Sequence, residues 1–514
     1  MTSHSKKNFS FQNALVSCSD KTGLADFLKP LQRDGLRIVS TGGTANYLRE
    51  AGLKVVDVSE QTGFQEVMDG RVKTLHPKIH MALLAREGNA EDTAVLHEYG
   101  IEAFDLVVGN LYPFESAPSV EKIDIGGPSF LRSASKNFER ITVLCDPADY
   151  GRVLEKPEGL TLEDRRQLAA KVFAHTSAYD AMISRHFAGD SALDFRDYGL
   201  GGEHVKALRY GENPQQKAAW FRIRGERSGL HQARILQGKE LSYNNLIDLE
   251  AAIATVREFS STPNRLSTCV AVKHNSPCGV ARSSNPAKAA ELAIAADSQS
   301  VFGGIVAMDF KLDVPVAEIV TGLFLECVVA PDLTREAAVV LSKKKNLRVL
   351  IWPELTERSE TFRYRSISGG FLVQTADQVE SEWSESWRVI GEAPSEQIRQ
   401  DLLFAWQVCA HLKSNAIAIT RNSQTLGLGM GQVNRVDAVE NAISRMRRFH
   451  KNTNGAVLAS DAFFPFADSI DLICEAGIQY IIQPGGSVKD EEVIARAKEK
   501  GLTMVLTGRR HFAH

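Results

Sequence analysis

The sequence predicts an α/β protein whose N-terminal part folds as a doubly wound parallel sheet. Three short apolar runs, which begin at Ala14, Arg37 and Lys54, alternate with two segments in which apolar residues recur at helical spacing. This β-α-β-α-β alternation is typical of parallel sheets, because helical crossovers let each strand start in the same direction. The length of 514 residues exceeds what one hydrophobic core supports, so two or three domains are expected.

Composition and charge narrow the class of protein. Hydrophobic residues make up 43% and charged residues 24% of the chain, as in ordinary globular proteins. The formal net charge of −3 gives no reason to expect a nucleic-acid or membrane partner. The first residues lead into no apolar signal region, and no uncharged stretch is long enough to span a bilayer. The 7 cysteines contain no Cys-x-x-Cys pair, which predicts a reducing cytoplasm and argues against a structural zinc site.

Two strand-to-helix loops in the N-terminal part are candidates for phosphate binding. Residues 17–23 follow the first strand, and residues 41–44, Thr-Gly-Gly-Thr, follow the second. Their backbone amides and the N-termini of the helices that follow would suit a phosphate. Ordinary tight turns between strand and helix are the alternative. Two such loops on adjacent strands favour the phosphate site more than a single Gly-Gly pair would.

Charged and aromatic side chains further along could form a proton-transfer site. Residues 70–78 hold three cations and a histidine, although a solvated loop would have the same composition. Tyr112 follows a buried strand that ends at Val108. Asp124 precedes a helix, and Lys136 lies near the far end of that helix. A carboxylate, a phenol and lysines at loop and helix ends can move protons around a bound anion.

A helical connector is predicted over residues 151–200. Thr161 followed by Asp164 resembles a capping box, and apolar residues recur at helical spacing from Leu168 to Ile183. We interpret this apolar stripe as core packing rather than as a binding site. The stretch 190–203 is rich in Gly and Asp and is a reasonable domain boundary.

An apolar, β-branched run ends abruptly in Lys273, His274, Asn275 and Ser276. This is the pattern of a buried strand that delivers polar side chains at its carboxyl end. Histidine titrates near neutral pH, and a neighbouring ammonium disfavours the protonated imidazole, so His274 is biased towards acting as a base. A solvated turn at the end of the strand is the alternative, and these residues alone do not exclude it.

Five N-terminal motifs occur in the order in which one enzyme family carries them. They are Ser-Asp-Lys-Thr-Gly, Ser-Thr-Gly-Gly-Thr, Gly-Arg-Val-Lys-Thr-Leu-His-Pro, Asn-Leu-Tyr-Pro-Phe and Ile-Asp-Ile-Gly-Gly. Through them residues 1–150 resemble the cyclohydrolase domain of the bifunctional purine biosynthesis proteins. That family joins an inosine monophosphate (IMP) cyclohydrolase to an aminoimidazole carboxamide ribonucleotide (AICAR) formyltransferase. The resemblance implies a methylglyoxal-synthase-like fold for this domain.

The same resemblance implies roles for individual residues of the first domain. It assigns the chemistry of ring closure to Lys73, Tyr112, Asp124 and Lys136. It assigns nucleotide binding to Ser17, Ser19, Lys21, Thr41, Gly43, Thr44, Arg71, Thr74, Asn110, Ile125, Gly126 and Gly127. Some family members carry Ser at the position of Thr41, and the hydroxyl is retained.

Residues 201–514 resemble the AICAR formyltransferase domain, with an Arg-Tyr-Gly-x-Asn-Pro signature and the Lys273-His274 catalytic motif. The resemblance implies two cytidine-deaminase-like α/β halves. They would divide near residues 375–397, where the charged, weakly patterned sequence suggests a linker or a long excursion. Implied substrate-binding residues are Arg209, Tyr210, Gly303, Glu326, Asn415, Arg435, Phe463, Asp468, Gly486, Ser487 and Arg510. Glu326 departs from the Asp of some members but keeps a carboxylate.

The resemblance implies two successive reactions of purine synthesis. Formyl transfer from 10-formyltetrahydrofolate converts AICAR to its formamido derivative (FAICAR), with His274 as base and Lys273 stabilising charge. FAICAR then closes to IMP with loss of water. The deaminase zinc signature His-x-Glu with Pro-Cys-x-x-Cys is absent, so a transferase without a catalytic metal is expected, with a bound potassium ion possible. The family also implies a cytoplasmic homodimer with formyltransferase sites at its interface.

Two functions of other classes compete with this prediction. One is a nucleotide-binding regulatory protein that kept the pockets and lost turnover. It requires missing catalytic groups, whereas Lys73, Asp124 and His274 are present. The other is a hydrolase with a deaminase-like site, which the absent zinc ligands disfavour.

Overall fold

A computed structural model describes residues 9–65, 67–68, 71–260, 266–358 and 362–514. The chain forms two compact units. The first extends to residue 203 and includes residues 221–227, and the second holds residues 204–220 and 228–514. None of the helices in the described ranges is long and apolar enough to cross a membrane.

The first unit consists of a central sheet with helices around it. Its strands and helices in chain order are β1 Asn13–Cys18, α1 Leu24–Arg33, β2 Arg37–Ser40, α2 Gly42–Glu50, β3 Val56–Asp57, α3 Val58–Thr62, α4 Pro77–Leu84, α5 Ala90–Glu98, β4 Leu106–Asn110, α6 Gly126–Lys136, β5 Thr142–Leu144, α7 Tyr150–Leu154 and α8 Leu162–Ala188. The strands are all parallel, in the order β3-β2-β1-β4-β5. The predicted doubly wound α/β fold is therefore confirmed. The third strand is shorter than its apolar run, because α3 begins at Val58.

The strand order determines where a ligand can bind in the first unit. β2 and β3 lie on one side of β1, whereas β4 and β5 lie on the other. Side chains of β1 at Ala14, Leu15 and Val16 are fully buried, as is usual in a parallel sheet covered on both faces. The direction of winding changes between β1 and β4, and ligands of such sheets bind at the carboxyl ends of the strands at this point.

Helix α8 starts as the sequence predicts. The Thr161 hydroxyl accepts the amide N–H of Asp164, and the Asp164 carboxylate accepts the amide N–H of Thr161, which is a complete capping box. The predicted apolar stripe is buried at Leu168, Val172 and Tyr179. This helix belongs to the first compact unit.

The second unit contains two halves that repeat one order of elements. The strands β6 Gly202–Leu208 and β7 Ala218–Ile223 lie where the division between the units falls. The first half is β8 Arg234–Gln237, α9 Tyr243–Phe259, β9 Ser267–Lys273, β10 Ser276–Ser283, α10 Pro286–Ala295, β11 Ile305–Met308, α11 Val314–Thr321, β12 Cys327–Ala330, α12 Arg335–Ser342 and β13 Arg348–Ile351. A hairpin follows, with strands β14 Phe362–Ile367 and β15 Gly370–Thr375. The second half is β16 Arg388–Ile390, α13 Glu396–Cys409, β17 Ile417–Arg421, β18 Gln424–Gly429, α14 Arg435–Phe449, β19 Val457–Ser460, α15 Asp468–Glu475, β20 Tyr480–Gln483, α16 Asp490–Glu499 and β21 Thr503–Leu506.

The two halves share one twelve-stranded sheet. Its strand order is β16-β21-β20-β19-β17-β18-β10-β9-β11-β12-β13-β8, in which each half mirrors the other. The halves meet where Ala281 of β10 pairs antiparallel with Gln424 of β18. This order is expected when an approximate twofold axis passes through the sheet between these strands. The predicted pair of similar α/β halves is confirmed.

The stretch 375–397 connects the halves and also contributes to the fold. Its strand β16 pairs antiparallel with β21 and forms one edge of the large sheet. Trp387 is 7% exposed and packs in the largest apolar core. The charged sequence hides this role, because an edge strand of three residues has too little apolar pattern to be recognised.

Equivalent glycines allow a helix to lie directly on each central strand. A Cβ atom on Gly279 in β10 would lie 2.0 Å from the Ala293 carbonyl oxygen of α10. A Cβ atom on Gly427 in β18 would lie 2.1 Å from the Ala442 carbonyl oxygen of α14. Both contacts involve helix backbone, which cannot move aside as a flexible side chain could. Glycine is therefore required at both positions.

We predict that Gly427→Ala lowers the free energy of unfolding of the second unit by about 1–3 kcal/mol, because the added methyl group forces β18 and α14 apart. Tryptophan fluorescence during urea unfolding measures this, since all 5 tryptophans lie in that unit. Gly370→Ala is the matched control, because a Cβ atom there meets no atom within 4 Å. It should change the free energy by less than about 0.5 kcal/mol. Equal effects of the two substitutions would contradict the packing argument.

Candidate active sites

The two predicted phosphate loops of the first unit lie side by side. The Ser17 and Thr41 hydroxyl oxygens are 3.1 Å apart. The Thr44 hydroxyl accepts the amide N–H of Cys18 at 3.1 Å and donates to the carbonyl of the same residue at 2.9 Å. These contacts arise because β1 and β2 are adjacent and parallel, so their carboxyl ends meet at one edge of the sheet. Gly43 lies in the first turn of α2 at this edge.

Asn110 connects the end of β4 to the loop after β1. Its side-chain oxygen accepts the amide N–H groups of Ser19 and Asp20 at 2.7 and 2.8 Å, and its nitrogen donates to the Asp20 carbonyl at 2.8 Å. Lys21 donates to the Ser19 carbonyl at 3.2 Å. Asn110 thus holds the loop after β1 at the edge of the sheet where Ser17 and Thr41 meet.

Lys73 and Thr74 approach this edge from a single turn of 3₁₀ helix, Lys73–Leu75. A Cβ atom on Gly42 would lie 3.2 Å from the Lys73 ammonium nitrogen, so the cation sits against the loop after β2. A Cβ atom on Gly126 would lie 2.3 Å from the Thr74 hydroxyl oxygen, so Thr74 touches the start of α6. Gly70, the first residue of this predicted loop, lies outside the described residues.

Asp124 and Tyr112 form a pair of groups that favour their protonated forms. The Asp124 carboxylate accepts the amide N–H of Gly127 at 2.7 Å and also that of Tyr112. Burial raises the pKa of the Asp124 carboxyl, and these hydrogen bonds reverse the shift only in part. Burial and the charge of Asp124 raise the pKa of the Tyr112 phenol. Both shifts favour the protonated form of the group over its charged form.

Lys136 lies apart from this cluster, whereas Arg71 and Ile125 are neighbours of cluster residues in sequence. Lys136 ends α6, about 15 Å along the helix from its start, and its side chain is exposed. Arg71 forms an exposed ion pair with Glu121. Ile125 precedes α6 and is 59% exposed.

In the second unit, His274 and Asn275 form the turn of the β9–β10 hairpin. Their φ angles of 52° and 59° are in the left-handed region. The Lys273 ammonium donates a hydrogen bond to the Phe302 carbonyl. A Cβ atom on Gly303 would lie 3.6 Å from the nitrogen of this ammonium. The predicted strand with polar residues at its carboxyl end is thus found, and it continues as a tight hairpin.

Strand directions bring the remaining predicted residues to the edge of the sheet that carries this turn. β11, β12 and β13 begin at this edge, whereas β18, β19, β20 and β21 end there. We call it the His274 edge. Residues that lie in the segments before or after strands at this edge, within eight positions of a strand end, are Gly303, Glu326, Asn415, Arg435, Phe463, Asp468, Gly486, Ser487 and Arg510.

Arg435 is the centre of a buried polar cluster at the His274 edge. Its guanidinium donates to the Asn415 side-chain oxygen at 2.8 Å, the Ala416 carbonyl at 2.8 Å and the Asp461 carboxylate at 2.5 Å. Asp461 also accepts the Ser414 hydroxyl. The Asp461 carboxylate is fully buried and balances the charge of the Arg435 guanidinium, so the guanidinium is held in one position. The pairing of Asp461 with Arg435 was not predicted from the sequence.

Acidic residues fix two other parts of this edge. Glu326 accepts from Arg348 at 2.8 Å and from the Asn245 amide group at 3.4 Å. The amides of Gly486 and Ser487 donate to the Asp490 carboxylate at 2.6 and 3.0 Å. These residues are therefore held by contacts within the unit before any ligand binds.

The predicted Arg209-Tyr210 pair lies in the loop after β6. The guanidinium carbon of Arg209 is 5.1 Å from the centre of the Tyr210 ring, a cation–π distance. The carbonyl of Glu212 in this loop accepts from Asn244 at the start of α9 at 3.3 Å.

A cavity of about 250 Å³ opens beside the turn, between β10 and β18. Lys273, His274, Gln432 and Arg445 contribute to its wall. Arg445 forms an ion pair with buried Asp297. Lys273 and His274 thus line a recess, and His274 is itself exposed. Among the described residues, no group of three or more His, Cys, Asp or Glu side chains is arranged to hold a metal ion.

Asp248 and Tyr179 each bond to the backbone of a segment that holds predicted catalytic residues. Neither contact was predicted from the sequence. Asp248 in α9 accepts the amide N–H of Asn275 at 2.5 Å. Burial raises the pKa of the Asp248 carboxyl, and that hydrogen bond opposes the shift. The Tyr179 hydroxyl accepts the amide N–H of Asp124 at 2.9 Å, so this core residue also fixes Asp124. For Asp248 the available signal was one acidic residue inside the apolar run Leu-Ile-Asp-Leu.

His511, next to Arg510, anchors the C-terminal segment. It is 1% exposed and bonds to Asp377 at 2.7 Å and to Glu380 at 3.4 Å. Burial alone would lower the pKa of His511, but the bonds to the two carboxylates outweigh it and raise the pKa to about 9. The charged imidazolium therefore stabilises the folded state below the unfolded pKa of about 6.5, and this contribution is lost as pH rises towards 9.

We predict that the second unit loses up to about 3 kcal/mol of stability between pH 6.5 and pH 9.5 through His511. Urea unfolding followed by tryptophan fluorescence across this range measures the loss. His511→Gln keeps a polar side chain but cannot titrate, so its stability should vary less with pH. Parallel pH profiles for the wild type and the variant would contradict the assignment.

Comparison with known proteins matches two family models to the chain. The model described as "AICARFT/IMPCHase bienzyme" covers residues 134–445, and the model described as "MGS-like domain" covers residues 23–129. Three relatives are each named "Bifunctional purine biosynthesis protein PurH". The one from Persephonella marina is 46% identical over 98% of this chain and 100% of the relative. Those from Synechococcus elongatus and Aquifex aeolicus are 47% and 45% identical, each over 98% of this chain and over 99% and 100% of the relative. The MGS-like match confirms the fold expected for the N-terminal part.

Proposed function

The chain belongs to the family of bifunctional purine biosynthesis proteins, and on this premise we propose which of its residues carry out two successive reactions. The first transfers a formyl group from a folate carrier, 10-formyltetrahydrofolate, to the amine of AICAR. The second closes the FAICAR product to IMP. The observation that carries the proposal is the convergence of residues from Lys273 to Arg510 on the His274 edge of one sheet.

Formyl transfer requires a base and a group that stabilises negative charge. The amine of AICAR attacks the formyl carbon, and the oxygen of that carbon becomes an oxyanion. His274 takes the proton from the attacking nitrogen, and Lys273 stabilises the oxyanion. Collapse of this intermediate breaks the bond to the folate nitrogen, which leaves with a proton as tetrahydrofolate. The hydrogen bond from Lys273 to Phe302 supports this role, because it holds the ammonium beside the turn.

Ring closure takes place in the first unit. The carboxamide nitrogen of FAICAR attacks the formyl carbon, and the resulting hydroxyl group leaves as water. Lys73 stabilises the oxyanion, while Asp124 and Tyr112 supply and remove protons. The raised pKa of the Asp124 carboxyl supports a role in proton transfer, because it favours the protonated form of that group. Lys136 lies at the far end of α6, so its proposed role rests on the family motif alone.

We assign the first domain to residues 1–150, the connector to residues 151–200 and the formyltransferase domain to residues 201–514. The ribonucleotide binds through Arg435, Asn415 and Phe463. The other ligand contacts are those of the family motifs, including Asp468 for the folate and Arg510 for the phosphate.

We further propose a cytoplasmic homodimer with formyltransferase sites at its interface. Two exposed aromatic rings support an interface beside Lys273. Phe302 and Phe324 are 58% and 49% exposed, with ring centroids 5.4 Å apart. Apolar surface of this kind next to a polar site is typical of a surface that a partner covers.

Substitution at each site should remove one activity and leave the other. We predict that His274→Ala lowers the rate of formyl transfer by about 10²–10⁴-fold, because a general base is lost. Ring closure of supplied FAICAR should be unchanged. Lys73→Ala should do the reverse, because the oxyanion loses its cation while the folate site is intact. Formation of tetrahydrofolate and of IMP, measured separately, gives the two rates.

The unfolding midpoints of both variants serve as the control. A residue that only supported folding would lower both activities together and shift the midpoint. Loss of both reactions in well-folded His274→Ala would show that the sites are not separate. Absence of any formyl transfer by the wild type would favour the alternative of a nucleotide-binding regulator without turnover.

Both reactions should proceed without a catalytic metal. The deaminase zinc signature has a glutamate two residues after its histidine, whereas this chain has Ser276 two residues after His274. We predict unchanged turnover after treatment with a strong chelator that leaves potassium in solution. Activity that is lost on chelation and restored by zinc would contradict the prediction. Dialysis into sodium buffer tests the separate proposal of a potassium ion.

A further inference from the structure

The catalytic turn places a histidine at a position with positive φ, where an external anchor helps to hold it. His274 and Asn275 both have positive φ angles, 52° and 59°, although neither is glycine. Two-residue hairpin turns commonly have positive φ at both positions, but they favour Asn, Asp and Gly, so histidine at the first position is less favourable and benefits from contacts that hold it. The first of these residues carries the imidazole, so any relaxation of the turn changes the direction of its Cα–Cβ bond.

Asp248 supplies this anchor from α9. Its carboxylate accepts the amide N–H of Asn275 at 2.5 Å and interacts with the amide of His274. Asp248 is the sixth residue of α9, and the adjacent Leu249 is fully buried. The anchor is therefore attached to a rigid helix.

The second half of the unit contains the same device without a histidine. Asn422 and Ser423 form the turn between β17 and β18, with φ angles of 49° and 56°. The amide N–H of Ser423 donates to the carboxylate of Asp401 at 2.9 Å. Asp401 is the sixth residue of α13, as Asp248 is of α9. Each anchor thus holds the second turn residue through the same backbone bond.

The equivalence extends to the cation beside each turn. Arg421 donates to the Asn454 carbonyl at 3.2 Å, just as Lys273 donates to the Phe302 carbonyl. The next residue is a glycine with positive φ in both cases, 78° at Gly455 and 73° at Gly303. The fold therefore builds two matching turns, of which one carries a proposed base and the other carries Asn422.

We propose that Asp248 is a positioning residue for formyl transfer, which holds the His274 imidazole in its reactive place through the backbone of the turn. This inference rests on the proposed role of His274. The proposed ribonucleotide contacts Arg435 and Asn415 lie in the second half, whereas Asp248 lies in the first half, where its carboxylate interacts with that of Glu326. Loss of the anchor should therefore slow the chemical step more than it weakens binding.

The duplicated turn makes a matched experiment possible on the full-length chain. Steady-state kinetics of formyl transfer are measured for Asp248→Ala, Asp248→Asn and Asp401→Ala, together with ring closure and the unfolding midpoint. Asp248→Ala should lower kcat by about 10–100-fold, because small misplacements of a reacting group have effects of this size. The KM for each substrate should stay within about threefold of the wild type.

The other variants separate positioning from support of the fold. Asp248→Asn keeps an oxygen that can accept the turn amides, so it should regain most of the lost kcat. Asp401→Ala removes the same bond from the turn that lacks a histidine. Its midpoint should fall, while its kcat stays within about twofold of the wild type. Ring closure should be unchanged in all three variants.

Clear results would overturn the proposal. An unchanged kcat in Asp248→Ala, or an equal loss of kcat in Asp401→Ala, would show that the anchor serves only the fold. A different result would refute the proposed function instead. In that case neither the wild type nor His274→Ala would transfer a formyl group. If an alanine variant does not fold, Asp248→Ser is compared with Asp401→Ser, because serine stays polar but is one bond too short to replace the carboxylate at the turn amide. A lower kcat confined to Asp248→Ser would then support positioning, and equal values would oppose it.

Discussion

The antiparallel pairing of β10 with β18 is the constraint on which the second unit depends. It joins two similar halves into one sheet and sets the direction of every other strand relative to the two turns. As a result, β10, β11, β12 and β13 of the first half begin at the His274 edge, whereas β18, β19, β20 and β21 of the second half end there. This arrangement brings motifs that are distant in sequence to one edge of the sheet.

Comparison of the two halves shows which features of the turn are shared and which occur in one half alone. Both halves have a tight turn, an aspartate beneath it and a cation bonded to a neighbouring carbonyl. The glycines at 279 and 427 let a helix contact the central strands equally in each half. The turns differ in the side chain that they present, His274 in one and Asn422 in the other. The two turns are thus built by the same contacts although their side chains differ.

The first unit positions its groups differently. Parallel strands bring three loops to one edge, and hydrogen bonds such as those of Asn110 hold the loops in place. Burial then raises the pKa of Asp124 and biases the carboxyl towards carrying a proton. Helix α8 takes part through the Tyr179 hydroxyl, which fixes the backbone of Asp124. A residue of the core therefore also supports the site.

The sequence by itself determined the α/β class, the β-α-β-α-β start, the capping box of α8 and the strand that ends at Lys273. These features depend on local spacing, and local spacing is visible along the chain. Family motifs supplied the candidate residues. Only the tertiary structure revealed Asp248 beneath the turn, Asp461 against Arg435 and the edge strand β16. Each depends on pairing between residues that are far apart in sequence, because strand order and direction, rather than local pattern, decide which groups meet.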